Sequence, residues 1–245
     1  RIAESLTLDG PTAVLEIGPG MGVLTQFLLQ NPLIDLTAVE LDGESVVYLH
    51  EHYPDLKVIE ADFLKMDLKS HFSDKFCVIG NFPYNISSQI FFKMLDNKDS
   101  IPCLAGMIQK EVAERMAAQP GGKTYGALSV AVQYYTVPEI ALYVPPRSFM
   151  PPPEVDSVVV NCKVRQTPAV ELIDEKMFFR VVKAAFGQRR KTLNNALKSM
   201  GVDKNIIADV LDKAGIEATR RGETLTMEEF GAIANILAQM AKQEA

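Results

Sequence analysis

From residue 13 to residue 110 short apolar runs alternate with helical patterns, and this alternation restricts the chain to very few folds. AVLEIG (13–18), DLTAVEL (35–41), KVIEAD (57–62), FCVIGN (76–81) and LAGMI (104–108) have the length and bounding turn residues of strands. Helical patterns fill 22–30, 43–50, 87–95 and a stretch from Lys110. Strands separated by helices imply right-handed crossovers and a parallel sheet. Beyond that the rhythm changes. Residues 127–135 read as a helix, but 139–144 and 155–164 read as strands joined only by PPRSFMPPPE (145–154), which is too proline-rich for either element. Two strands joined by a loop form an antiparallel pair at one sheet edge. After Pro168 the strand signals stop, and 174–186, 191–200, 204–214 and 227–242 read as amphipathic helices. Thr226 with Glu229 fits a capping box. The expected organisation is an α/β domain over 1–168, mostly parallel with an antiparallel edge strand, and a small helical domain over 169–245.

The chain is 47% hydrophobic and 23% charged over 245 residues, as a soluble globular protein is. No apolar run reaches the roughly 18 residues a bilayer requires, and no signal-peptide pattern is present, so a cytoplasmic location is expected. The opening RIAESL reads as the tail of a helix, which predicts further residues ahead of Arg1. Cys77, Cys103 and Cys162 stand far apart without CxxC spacing, so no metal site and three buried free thiols are expected. A net charge of −6 argues on its face against a nucleic-acid partner. The charge is uneven, however: GQRRKTLNNALK (187–198) carries four cations and no acid, and binding needs one patch rather than a net balance.

LEIGPGMG (15–22) lies between a strand and a helix pattern. Gly18, Gly20 and Gly22 allow a tight turn and close approach of a ligand to the backbone, with helix N–H groups beyond. Glu40 closes the second strand, where a carboxylate can accept hydrogen bonds from both ribose hydroxyls. Asp62 closes the third, where it can accept from an adenine amine. Alone, each is an ordinary turn or strand-end acid. Together, at the carboxyl ends of consecutive parallel strands, they predict an adenosine-containing ligand at the edge where open α/β sheets bind ligands. The spacing is GxGxG, not the GxGxxG of pyrophosphate-binding turns. That spacing and the antiparallel edge favour S-adenosylmethionine over a dinucleotide, hence a Rossmann-like methyltransferase sheet.

Asn81-Phe82-Pro83-Tyr84 closes the fourth strand beside this site. An adenine N6 lone pair is conjugated with the ring and is a poor nucleophile. Two acceptors holding both N6 hydrogens favour a pyramidal nitrogen and free that lone pair. The Asn81 side-chain oxygen suits one role; the carbonyl of Phe82 or of Pro83 suits the other. Pro83 fixes the local backbone, and the Tyr84 ring can stack on a base, a contact worth roughly 1–3 kcal/mol. Displacement at a sulfonium works mainly by positioning and needs no strong base. His50, His52 and His71 lie in polar surroundings and read as surface residues.

LEIGPGMGVLT, VELD, EADFLK, GNFPYNISS, FMPPPEVDSVVV and FGQRRKTLNNAL together resemble the rRNA adenine N6,N6-dimethyltransferase family, over nearly the whole chain and closest to its small-subunit branch. The resemblance implies that Glu16, Gly18 and Gly20 line the methionine side of S-adenosylmethionine and that Glu40, with Leu41 beside it, holds the ribose. It implies that Asp62 and the Phe63 backbone hold the adenine, and that Asn81, Pro83, Tyr84 and Phe149 form the catalytic set. In this reading Phe149 stacks on the second face of the flipped adenine. The family also has a Gln/Asn-Phe-Leu motif ahead of the point where this sequence starts, which closes over the cofactor; without it, cofactor binding is expected to weaken.

A base must leave its stack to reach such a pocket, at a cost of a few kcal/mol, and an unpaired loop adenine costs least. Arg147, Arg189, Arg190 and Lys191 are the expected phosphate contacts, with Arg220 and Arg221 as further candidates. The resemblance implies dimethylation of two adjacent adenines of small-subunit rRNA, in a pre-ribosomal particle, by a monomer. A non-catalytic RNA-binding factor of the same fold, a large-subunit rRNA enzyme and a DNA adenine methyltransferase stay open as alternatives.

Overall fold

The apolar runs form one seven-stranded sheet in the order β3-β2-β1-β4-β5-β7-β6 in the computed structural model, which describes residues 2–6 and 8–243. β1 (Thr12–Ile17), β2 (Ile34–Glu40), β3 (Lys57–Glu60), β4 (Phe76–Asn81) and β5 (Cys103–Gln109) are parallel. β7 (Ser157–Val164) runs antiparallel to β5 and to the edge strand β6 (Thr136–Val144). Strand order reverses between β1 and β4, so successive crossovers leave in opposite directions and open a crevice at the strands' carboxyl ends. Val14, Leu15, Val78 and Ile79 on these central strands are fully buried, as residues covered on both sheet faces must be.

The crossovers carry α1 (Thr25–Leu28), α2 (Gly43–His52) and α3 (Ser87–Asp96), with α4 (Lys110–Met116) after β5. The Asp42 carboxylate caps α2 by accepting from the Ser45 N–H. α3 buries Ile90, Phe91, Met94 and Leu95 on one face. α1 is much shorter than the helix expected over 22–30. Gly22 sits at φ 77°, where its N–H closes a turn on the Pro19 carbonyl at 3.0 Å, and the helix starts only beyond that turn.

The chain divides into two compact units, Arg1–Ala113 with Thr136–Val164, and Glu114–Tyr135 with Arg165–Ala245. The second contains α5 (Ala127–Tyr135), α6 (Glu175–Gly187), α7 (Leu193–Ala196), α8 (Lys204–Lys213) and α9 (Met227–Gln243). Its core includes Phe178, Val181, Leu211, Phe230 and Ile233. Residues 114–135 were expected with the sheet. They cluster with the helices because the apolar face of α5, Val130 and Tyr134, fills that core, and the Tyr134 phenol donates to Glu175 at 3.1 Å. The single helix expected over 191–200 is α7 followed by a 3-10 turn, Leu197–Met200. The capping box at α9 is formed: Thr226 N–H donates to Glu229 at 2.8 Å, and Glu229 N–H donates back to the Thr226 hydroxyl at 3.3 Å.

The expectation of three free thiols is corrected. Cys77 and Cys103 form a disulfide, with Cα atoms 5.1 Å apart. They are 26 residues apart in sequence, but the β4–β5 register pairs Val78 with Leu104 and thereby sets the preceding cysteines side by side. Cys162 is free and buried, and burial pushes its thiol up to about 12. Among the described residues no cluster suited to a metal ion is present, and no helix is long and apolar enough to cross a membrane.

Candidate active site

β1 delivers Glu16 and the glycine turn to the crevice. Gly18 and Gly20 take φ of 63° and 55°, a region that side chains with a Cβ rarely adopt. A Cβ at either would meet no atom within 4 Å, so both face open space that a ligand can fill. Glu40 at the end of β2 holds this turn in place. One carboxylate oxygen accepts from the Gly20 N–H at 2.9 Å, and the other accepts from Leu41 and Asp42 N–H at 2.8 and 3.0 Å. Leu41 therefore contributes backbone, while its side chain is exposed.

Glu16 is buried and accepts from the Thr25 hydroxyl at 2.7 Å. Burial pushes its carboxyl up to about 7; the Thr25 hydrogen bond opposes this and the Glu40 charge adds to it. A buried acid poised near neutrality in the lining of a cleft favours a cationic ligand.

The cleft has a volume of ≈ 730 Å³ and brings together Glu16, Gly18, Gly20, Asn81 and Phe149, with Met107 and Tyr143 also on its wall. Asp62 lies outside that lining, two residues past β3. Its carboxylate accepts from the Leu64 N–H at 3.0 Å and pairs with Lys65 at 3.3 Å. Phe63 beside it is buried. The Lys93 ammonium of α3 donates to the Leu64 and Met66 carbonyls at 3.0 and 2.5 Å, and lies 5.2 Å from the centre of the Phe63 ring. Desolvation holds the Lys93 amine below its usual range.

Asn81 ends β4 with an exposed side chain. Phe82 next to it is 1% exposed, and its N–H donates to the Met107 carbonyl at 3.1 Å. Its ring rests on two glycines: a Cβ at Gly106 would lie 2.1 Å from that ring, and one at Gly80 2.8 Å from it. The Pro83 carbonyl accepts from the Ile86 N–H at 3.1 Å in the turn into α3, so it is already engaged. The Tyr84 hydroxyl lies 2.6 Å from the Oγ of Ser157, the buried first residue of β7. Sequence reasoning passed over Ser157, Lys93 and the seat of the Phe82 ring, having considered Phe82 only for its carbonyl. The glycines at 80 and 106 and a lysine in an apolar helix were the available signals, but only the fold shows what they meet. Gly106→Ala is expected to destabilise the protein by about 1–3 kcal/mol through overpacking against Phe82. An unchanged melting curve would mean that the ring is seated elsewhere.

The cations expected to meet phosphate divide into two groups. Arg147, Arg190 and Lys191 are exposed. Arg189 is committed internally: it donates to the Lys123 and Tyr125 carbonyls at 2.7 and 2.8 Å and lies 3.7 Å from Glu223. Arg220 is likewise engaged with both Glu229 oxygens, while Arg221 is exposed. His50, His52 and His71 are exposed, as expected.

A family model described as ribosomal RNA adenine dimethylase matches residues 1–239. The chain is 54% identical over 233 residues to the ribosomal RNA small subunit methyltransferase A of Parabacteroides distasonis, covering 94% of this chain and 85% of that protein. It is 51% identical over 241 residues to the protein of the same description from Cytophaga hutchinsonii, covering 96% and 90%. Among solved structures, it is similar to a dimethyladenosine transferase from Plasmodium falciparum (TM-score 0.81, 28% identity, 99% of this chain and 94% of that one). It is also similar to the 23S rRNA methyltransferase ErmE (TM-score 0.75, 26% identity, 96% and 94%).

Proposed function

The chain belongs to the ribosomal RNA adenine dimethylase family, and on that premise we propose that it methylates N6 of adenines in small-subunit ribosomal RNA, leaving N6,N6-dimethyladenosine at two adjacent positions. As a family member it is an S-adenosylmethionine-dependent methyltransferase. The observation that carries the reading is the single cleft joining the glycine turn, the buried Glu16 carboxylate, Asn81 and Phe149.

The residues present suit S-adenosylmethionine, because the open space at Gly18 and Gly20 adjoins an acid that a cation would ionise. In this reading Glu16, Gly18 and Gly20 receive its methionine part. Glu40 and Leu41 receive the ribose, and Asp62 with the Phe63 backbone receives the adenine. When bound, it supplies a methyl group on a positively charged sulfur. Asn81 accepts one N6 hydrogen of the target base. The Phe82 carbonyl is the better second acceptor, since Pro83 already serves Ile86. Pro83 stiffens the turn that aims that carbonyl. Tyr84, held through its hydroxyl by Ser157, faces one side of the flipped base and Phe149 the other. With S-adenosylmethionine held there, the freed N6 lone pair would take the methyl group as the carbon–sulfur bond breaks and leaves a neutral thioether, and the methylated nitrogen would lose its proton to water.

Arg147, Arg190 and Lys191 are the proposed phosphate contacts, and the helical unit is the proposed RNA-binding part. Arg189 enters this reading as a brace for the 123–125 loop that presents its neighbours. The relatives named as small-subunit enzymes favour small-subunit rRNA as substrate; that the substrate is a pre-ribosomal particle in the cytoplasm, and that the protein acts as a monomer, is part of this proposal. The test is to incubate the purified protein and S-adenosylmethionine with unmodified small- and large-subunit particles, and to map dimethyladenosine by mass spectrometry. Product on small-subunit rRNA is the expected result; product on the large subunit alone, or none on either, overturns the reading.

A further inference from the structure

α6 runs along its unit with two unlike faces. Phe178, Val181, Val182 and Ala185 are buried in the helical core. Lys176, Arg180 and Lys183 are exposed, and their spacing of four and then three residues stacks them on one side of the helix. They span about 10 Å of helix axis. Among the described residues none of the three has a carboxylate partner; Arg180 makes only a long contact, 3.5 Å, to the Met200 carbonyl. This sets them apart from Arg189 and Arg220, each of which lies against a glutamate. Two acids open the helix beside them: the Asp174 carboxylate accepts from the Lys176 and Met177 backbone N–H groups at 2.8 and 3.3 Å, and Glu175 accepts from the phenols of Tyr134 and Tyr135 at 3.1 and 2.7 Å. A shallow groove of ≈ 490 Å³ lies beside the stripe, lined by Arg180, Lys183, Gly187, Gln188, Ser199 and Met200. Next to it, Phe179 stands half-buried between the same cations.

We propose that the outer face of α6, carried by Lys176, Arg180 and Lys183, is a track for the phosphate backbone of the RNA substrate. The inference rests on the RNA-methylating reading and adds a surface to it. In a chain of net charge −6, long-range repulsion opposes RNA, so binding depends on patches where cations are free of acids. Unpaired cations in register along a rigid helix meet that need without reorganisation. An acidic protein surface is the other polyanion such a stripe attracts. The groove's mixed lining and the half-buried Phe179 ring beside it favour a ribose-phosphate strand, which alternates charge with flat bases.

The test compares Lys176→Ala/Arg180→Ala/Lys183→Ala with the control Lys204→Ala/Lys213→Ala/Lys242→Ala, which removes equal charge from α8 and α9. Binding to a transcribed small-subunit rRNA fragment is measured across a salt series. If all three cations meet phosphates, the slope of log affinity against log salt drops by about 2 relative to wild type, at ~0.7 per contact on single strands. That amounts to about a 100-fold loss at 0.1 M salt, vanishing near 1 M. S-adenosylmethionine affinity and the melting temperature should not move, which separates lost contacts from lost folding. A slope equal to that of the control triple overturns the track while leaving the methylation reading standing. So does a variant that binds naked RNA normally but loses affinity for the assembled particle, since that assigns the face to a protein. A wild-type protein that neither binds nor methylates the RNA sinks the functional reading itself.

Discussion

Asn81→Ala is expected to lower methyl transfer by about 10²–10³-fold, in line with removing one transition-state hydrogen bond. Asn81 sits on the last residue of a central strand, so its backbone is fixed by pairing with Met107 before any substrate arrives. Alanine keeps that strand and the Phe82 seat beneath it. What disappears is an acceptor whose value rises as N6 becomes tetrahedral, so the loss falls on the chemical step and RNA affinity persists. Single-turnover measurements at saturating S-adenosylmethionine and RNA read that step alone. Methylation at the wild-type rate would remove Asn81 from the reaction. A loss confined to RNA binding would instead turn the motif into a recognition element.

The second large effect belongs to Glu16. Its carboxyl stands at about 7 in the fold against an ordinary value of 4.5. The fold thus favours the protonated form. The stability this contributes is fully present below about pH 4.5 and is lost as pH rises through about 7. The difference is worth about 3 kcal/mol. Glu16→Gln keeps an acceptor for the Thr25 hydroxyl and has no charge to bury, so the free variant should be more stable than wild type at pH 8 by up to about that amount. Cofactor affinity should move the opposite way. A cationic ligand favours ionised Glu16, so wild-type binding tightens as pH rises through 7 when the ligand's own ionisation is accounted for. Near pH 6 each binding event should release a proton, which calorimetry in buffers of different ionisation enthalpy detects. The variant should bind more weakly and without that release. Identical pH profiles for the two proteins would show that Glu16 does not face the cation.

Strand positions were readable because each run has a strand's length and ends in turn residues; β4 was expected at the residues where it lies. α1 was not, because apolar periodicity continues through Gly22 while the left-handed backbone there forbids a helix. The Cys77–Cys103 bond was hidden by sequence distance and follows from strand register alone. α5 sits between two strands in sequence, yet its apolar face serves the helical core, and periodicity does not reveal which core a face will join. At the site, Gly18, Gly20 and Asn81 were legible as turn and strand-end residues and Glu16 and Phe149 only through the family resemblance, and one cleft is lined by all five. The cations were legible only as charges. That Arg189 and Arg220 spend theirs on carbonyls and glutamates depends on folded neighbours.

If Tyr84 and Phe149 hold the flipped base as proposed, the link from Tyr84 to Ser157 makes that pair behave like a caliper. One jaw is clamped to the first residue of β7, and the other, Phe149, rides on the proline-rich loop that feeds the same strand. The gauge of the opening is therefore set by where that loop enters the sheet. Changes in loop length would then reset the gap, while the fixed jaw keeps its tie to Ser157.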